Sequence, residues 1–402
     1  MSLPNKLTIQ TSAKEAEITR RLKSLIVRDL FNLDWDLKQS GNTLTVQPPK
    51  EYSKDTVRQS MNFKRQEILR ESKSWIEHHK ILLNDNLATG RQAFYSNIVP
   101  SIEVCNTQKQ HDLFRICRYY WSSPYSDYVG RRIKLIIRDD SLQSRPIIGI
   151  AALGSPIIHI PERDEWIGWD KKTRTQNIIL CMDAYVLGAM PPYNMILGGK
   201  LVAYILASNE IRQLYKEKYV NQITQIDKRI SSDLVCLFTT SLYGRSSQYN
   251  RISFNNQHLY NLIGKTKGFG SLHLTDETFE TMQELLHKNG LIVTNHFGDG
   301  PNWRMRVIRT ACDYIGIDAN ILLNHSFKRN IYATPLANNY SDVLLGKSTE
   351  VDYFDYPLDD LVNYWKYRWL NKRKNYLCES NKIDEMLAFE PASFVEQTYN
   401  IY

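Results

Sequence analysis

The run Thr239-Thr240-Ser241-Leu242-Tyr243-Gly244-Arg245-Ser246-Ser247-Gln248-Tyr249-Asn250-Arg251 concentrates hydroxyls, amides and two guanidinium groups. Guanidinium groups hold phosphates through paired N–H donors in a planar fork, and hydroxyl and amide side chains add neutral donors. A second cluster, Ile263-Gly264-Lys265-Thr266-Lys267-Gly268-Phe269-Gly270-Ser271, follows shortly after. Thr240, Ser241, Arg245, Ser246, Ser247, Asn250, Arg251, Lys265 and Lys267 are therefore the candidate phosphate-binding residues. The competing structural explanation pairs the arginines with carboxylates such as Asp164 and Glu165 and leaves the lysines in a solvated loop. Gly264-Lys265-Thr266 lacks the upstream glycine of a Walker loop, so nucleotide hydrolysis is not expected here.

Residues for bond-breaking chemistry are sparser. His273, His296 and His325, with Asp299 and Asp313, are the acids and imidazoles that a metal-dependent nuclease would use, but no fixed ligand spacing links them. Tyr243 and Tyr249 are conceivable strand-joining nucleophiles in a chain with 24 tyrosines. Trp166 and Trp169 read as packing residues. No motif calls for a metal or a cofactor.

The elements that must position the polar run are strands. Asp233 to Phe238 is an apolar strand that ends where the hydroxyls begin. Arg131 to Arg138 alternates, Pro146 to Leu153 is apolar throughout as in a strand covered on both faces, and Ile178 to Met182 continues into Asp183–Gly188. With a helix expected from Asn194 to Tyr219, the middle of the chain contains a βαβ unit. Before it, helices are expected from Ala13 to Phe31 capped by Ser12, from Ser53 and Asp55 to about Leu83, and from Ser101 to Tyr120. After it come a helix capped by Thr275, a basic helix from Asn302 to Ile315, and Asp359 to Lys374, rich in aromatics and cations. That last helix either stacks bases or packs Tyr364, Trp365 and Trp369 inward. The expected organisation is a helical region 1–122, an α/β centre 123–274 and a helical region 275–402, an α/β (mixed α+β) fold.

Charge narrows the partners. Lys and Arg total 51 against 43 Asp and Glu among 402 residues, a formal net charge of +8, which favours a polyanion such as nucleic acid. Six scattered cysteines without a C-x-x-C pair suit a reducing cytoplasm. No signal segment or membrane span is legible, so a soluble cytoplasmic protein is expected.

Several blocks carry a resemblance. Arg145-Pro-Ile-Ile-Gly-Ile-Ala-Ala-Leu-Gly-Ser-Pro156, Arg163-Asp-Glu-Trp-Ile-Gly-Trp169, Thr240 to Arg251, Ile263 to Ser271, His325-Ser-Phe-Lys-Arg329 and Tyr332-Ala-Thr-Pro-Leu-Ala-Asn338 resemble the DruA family of Druantia anti-phage defence systems. The resemblance spans about Tyr128 to Asn338 and implies phage defence beside a helicase and other defence subunits. The centre also resembles, more distantly, an N-acetyltransferase-type fold, in which a Gln/Arg-x-x-Gly-x-Gly/Ala loop holds the coenzyme A pyrophosphate at a helix N-terminus. Here the stretch is Asn194-Met-Ile-Leu-Gly-Gly199, with Leu197 in place of the first glycine, which opposes pyrophosphate binding. The expectation is a defence protein that binds nucleic acid, against the alternatives of an enzyme (nuclease, strand-transfer or acyl-CoA-dependent) or a scaffold subunit.

Overall fold

A computed structural model of the chain describes residues 6–10, 16–49, 51–122, 130–223, 232–242, 244, 246–291, 293 and 301–400. Three short strands, β1 (Leu7–Gln10), β2 (Asp36–Ser40) and β3 (Thr43–Gln47), form an antiparallel sheet in the order β1-β3-β2. The central sheet has seven strands: β4 (Pro100–Val104), β5 (Arg132–Asp139), β6 (Ile147–Gly154), β7 (Cys181–Ala189), β8 (Cys236–Ser241), β11 (Asn261–Lys265) and β12 (Asn330–Pro335). Between β8 and β11, β9 (Ser253–Phe254) and β10 (Gln257–His258) make a small hairpin. The strand order is β11-β12-β8-β7-β6-β5-β4, and only β7 and β8 run parallel. The fold is the expected mixed α/β sheet flanked by helices. The sheet takes β4 from before residue 123 and β12 from after residue 274.

β6 is buried at every position, as its unbroken apolar sequence requires of a strand covered on both faces. It sends Ile148, Ala151 and Leu153 into one core and Ile147, Ile150 and Ala152 into the other. The first core lies under the Gly198–Leu206 helix, and the second under the Lys73–Asn84 and Gln108–Arg118 helices. Each fully buried aliphatic side chain contributes ~1.5–3 kcal/mol, so β6 is the spine of both.

The expected elements are largely present, with shifted limits. The first helix runs from Glu17 to Phe31, and Ser12 lies outside the described residues. The second is two helices, Lys54–Glu71 and Lys73–Asn84, joined at Ser72. The helix expected from Ser101 to Tyr120 is strand β4 followed by the helix Gln108–Arg118, because Thr107, not Ser101, supplies the cap: its hydroxyl accepts from Gln110 N. The Asn194–Tyr219 segment is likewise two helices, Gly198–Leu206 and Asn209–Tyr219. Thr275 does cap Asp276–Lys288, accepting from Thr278 N. No described helix is long and apolar enough to cross a membrane.

A separate core joins the N-terminal segment to residues 274–323. Leu7, Ile9, Leu22, Ile26 and Val46 pack with Phe279, Met282, Ile308 and Leu322. Buried Asp29 tethers that core by accepting from Thr275 N (2.8 Å) and Thr278 Oγ1 (2.7 Å), while Arg28 pairs with Glu277 at 2.6 Å. Tyr52 donates to His325 O at 2.6 Å and accepts from Trp35 Nε1 at 3.0 Å, tying the same layer to the segment before β12.

His325 and His273 are buried with ring centroids 5.1 Å apart. Burial, then Arg329 and Lys64, push His325 down to about 3, and burial followed by His325 and Lys64 holds His273 well below the ordinary value. Both stay neutral in the native protein, whereas unfolded histidines protonate near 6.5. Their contribution is full above that pH and is lost as pH falls below it, at up to about 1.4 kcal/mol per pH unit per histidine. Denaturant unfolding at pH 7.5 and pH 5.5 should therefore show lower stability at pH 5.5. The loss should shrink in His325→Asn, whose amide oxygen can replace the imidazole nitrogen as acceptor for Phe327 N (3.1 Å). An unchanged loss in that variant would remove His325 from the account.

Candidate functional site

The parallel pair β7 and β8 is hydrogen-bonded over only three residue pairs, Cys181–Cys236, Met182–Leu237 and Asp183–Phe238. Both strands continue, but β8 stays with β12 as far as Ser241–Asn330, and β7 stays with β6 as far as Ala189–Gly149. The carboxyl ends of the two parallel strands therefore part. In α/β sheets such a gap between parallel strands is where ligands enter. At its apex Thr239 Oγ1 donates to Ala184 O at 2.8 Å, a side chain replacing the next ladder bond. Beyond it lies a cavity of about 590 Å³.

The cavity wall on the β7 side ends in the Gly198–Leu206 helix, whose first turn presents Gly199 and Lys200. The four N–H groups of a helix start have no intrahelical acceptor and carry a partial positive charge. Leu197 precedes it at φ 64° and is one of the residues lining the cavity. The loop is braced from behind by the aromatic C-terminal segment: Trp365 Nε1 donates to Leu197 O (3.2 Å) and Arg373 Nε to Met195 O (2.8 Å). Trp365 is fully buried and Trp369 half-buried. Trp365 thus takes the packing role, and Trp369 packs against the same core with part of its surface exposed.

Lys200 is 7% exposed. Its Nζ donates to Ser247 O and lies 4.3 Å from the Trp369 ring centre. Burial, and secondarily the nearby Arg251 charge, pull its pKa down to about 8. Gln248 bridges the gap, its Nε2 donating to Leu187 O at 3.5 Å. Its Oε1 is so close to Gly199 that a Cβ there would stand 3.0 Å from it. Trp121 rests on Gly188, also on β7, where a Cβ would come within 2.8 Å of the indole. Arg118, Tyr120, Ser122 and Asn194 complete that side, and Asn194 Nδ2 donates to Tyr120 OH at 3.3 Å.

The candidate residues fall into three groups. Thr240, Ser241, Ser246 and Ser247 line the cavity. Asn250 and the Ser246 backbone hold the loop to β12 instead: Asn250 Oδ1 accepts from Tyr332 OH at 2.9 Å, and Ser246 N donates to the same hydroxyl at 3.3 Å. Arg251, Lys265 and Lys267 are exposed on the surface beside it. Lys265 faces Asn330, and Asn330 faces Ser241. At ~4.8 Å per strand, Lys265 is about 10 Å from Ser241 on the same edge of the sheet. Thr266 N donates to Arg329 O (2.8 Å) and Arg329 N to Thr266 Oγ1 (3.0 Å), fixing the second cluster there. Arg245 and Tyr243 lie outside the described residues.

Asp164 is taken by Arg163 (2.7 Å), Arg174 (2.8 Å) and His159 (3.0 Å), so it does not neutralise Arg251. Trp169 is buried with Nε1 donating to Leu344 O, and Trp166 stacks on Tyr340. Tyr249 lines the cavity but is largely buried, stacked on Tyr260 and pushed up to about 12 by burial, so its hydroxyl stays protonated. Among the described residues no three His, Cys, Asp or Glu side chains converge; His296 and Asp299 lie outside them. Sequence reasoning missed Lys200, Gln248 and Trp121. The signal for Lys200 was its place after Gly-Gly at a helix start, and Trp121 carried none.

The match of residues 51–346 to the family model of Druantia protein DruA covers most of the chain and the whole cavity. The chain belongs to the DruA family. It is 33% identical over 336 residues to the Druantia protein DruA of Escherichia coli (strain UMEA 4076-1), covering 83% of this chain and 81% of that protein. No solved structure matches. In this DruA-family chain the cavity supplies a direct electrostatic check. With Lys200 isotopically observed by NMR, its titration should centre near 8, and Arg251→Ala should move the midpoint upward by relieving the like charge. A midpoint at the ordinary lysine value of about 10.4 would show Lys200 to be solvated.

Proposed function

We propose that this DruA-family chain acts in Druantia anti-phage defence by binding nucleic acid in the cytoplasm, alongside a helicase and other defence subunits. The observation that carries the reading is the row Ser241–Asn330–Lys265, which sets both polar clusters on one edge of the central sheet. Arg251, Lys265, Lys267 and Lys328 are exposed around that row, and among the described residues none of them is ion-paired with a carboxylate. Unpaired exposed cations beside a hydroxyl-rich strand end suit the phosphates of a strand, and the net charge of +8 acts in the same direction.

Phosphate binding of this kind releases counterions, so affinity for single- and double-stranded DNA must fall steeply with salt. A Lys265→Glu/Lys267→Glu double variant should bind at least 10-fold more weakly at low salt and with a shallower salt slope, by about one for each phosphate no longer neutralised. Fluorescence anisotropy over a salt series reads both quantities. If helicase and defence subunits co-purify after nuclease treatment while neither form of DNA binds, the chain is a scaffold and this reading falls.

A further inference from the structure

We propose that the outer face of the C-terminal aromatic helix, built from Tyr367, Arg368, Lys372 and Tyr376, is a stacking surface that makes this chain prefer single-stranded nucleic acid. The inference rests on the nucleic-acid reading and names the form of strand that it takes. The helix Leu358–Trp365 passes through a π turn, Lys366–Leu370, into the helix Asn371–Glu379. Its inner face is pinned to the body of the protein. Trp365 and Arg373 hold the Leu197 loop, and Trp369 Nε1 donates to Tyr204 OH at 3.2 Å. Trp365 and Leu370, five residues apart, are both buried, as the wider π turn allows. Such turns recur at functional sites inside helices. The packing of the inner face holds the outer one rigid.

That outer face is cationic and aromatic together. Between Asp360 and Glu379 the chain carries five cations, Lys366, Arg368, Lys372, Arg373 and Lys374, and no acid. Arg368, Lys372 and Tyr376 follow at i, i+4 and i+8 along one stripe, with Tyr367 and Asn371 beside it. Arg368 and Lys372 are exposed and, among the described residues, ion-paired with no carboxylate. Like charges one turn apart oppose helix formation, and a polyanion laid across them relieves the repulsion. Tyr367 is 74% exposed and Tyr376 45% exposed. Arg373 and Lys382 lie 5.2 and 5.9 Å from the Tyr376 ring centre. Aromatic rings set among cations are how proteins hold single strands, stacking on bases while neutralising phosphates. A duplex offers this face phosphates alone, because its bases are already stacked. The face also continues the surface of the β8 loop: Tyr204 OH, which Trp369 contacts, donates to Ser253 O at 3.0 Å, two residues from exposed Arg251.

The test is fluorescence anisotropy of the full chain with a labelled twelve-residue oligothymidylate and with a duplex of the same length. The parent should bind the single strand more tightly. Tyr367→Ala should weaken the single strand at least 5-fold, as the loss of one stacked base requires, and leave the duplex within about 2-fold. Tyr367→Phe keeps the ring and should bind like the parent. Arg368→Glu/Lys372→Glu should weaken the single strand at least 10-fold and flatten its salt dependence. If these variants bind both DNAs like the parent while Lys265→Glu/Lys267→Glu does not, the functional reading stands and the inference is overturned. Equal losses on single strand and duplex in Tyr367→Ala also overturn it. So does a charge-reversed helix that keeps its DNA affinity but releases co-purifying defence subunits, since the face then holds an acidic protein. Failure of every nucleic acid to bind the parent chain would instead overturn the functional reading.

Discussion

Hydrogen-bond accounting at one strand pair organises this protein. Every buried backbone N–H and C=O needs a partner, and β7 and β8 satisfy each other for three residue pairs only. Past Asp183 and Phe238 the partners come from elsewhere. Thr239 lends its hydroxyl to Ala184 O, Gln248 its amide to Leu187 O, and β12 keeps β8 in register to Ser241. The parted strands leave a polar space inside a sheet that is otherwise closed by antiparallel pairing.

The rest of the molecule holds that space open. The Gly198–Leu206 helix fills the face beneath β7 and aims its first turn at the gap, with the C-terminal aromatic segment behind its entry loop. Lys200 is enclosed between this segment and the β8 loop, in surroundings that pull its pKa down to about 8. Burying an ammonium is unfavourable, and the Ser247 carbonyl and the Trp369 ring are the partners that offset part of that cost.

Acyl-CoA chemistry is the natural rival, since a parallel pair that parts above a helix start also suits a pyrophosphate. Leu197 stands on the wall at φ 64°, and Gln248 is packed against Gly199, so both residues occupy the approach that a pyrophosphate would take. The nucleic-acid reading does not need that approach, and it accounts for the exposed cations at Arg251 and Lys265, which lie outside the cavity.

Local sequence determined the strands β5 to β8, the cap at Thr275 and the family, because each rests on short-range signals: apolar runs, hydroxyl caps and contiguous motif blocks. It also placed the hydroxyls Thr240, Ser241, Ser246 and Ser247 at a strand end, where they line the cavity. Strand β4 was read as helix, since Pro100–Val104 is short and its pairing with β5 is a long-range interaction. Tertiary structure alone decided that Asn250 braces Tyr332, that Tyr249 is stacked on Tyr260 and largely buried, and that Lys265 shares an edge with Ser241. It alone brought Lys200, Gln248 and Trp121 together from three separate segments. The reason is physical: strand register and the point at which two strands part depend on which neighbours satisfy their hydrogen bonds, and those neighbours are distant in the chain.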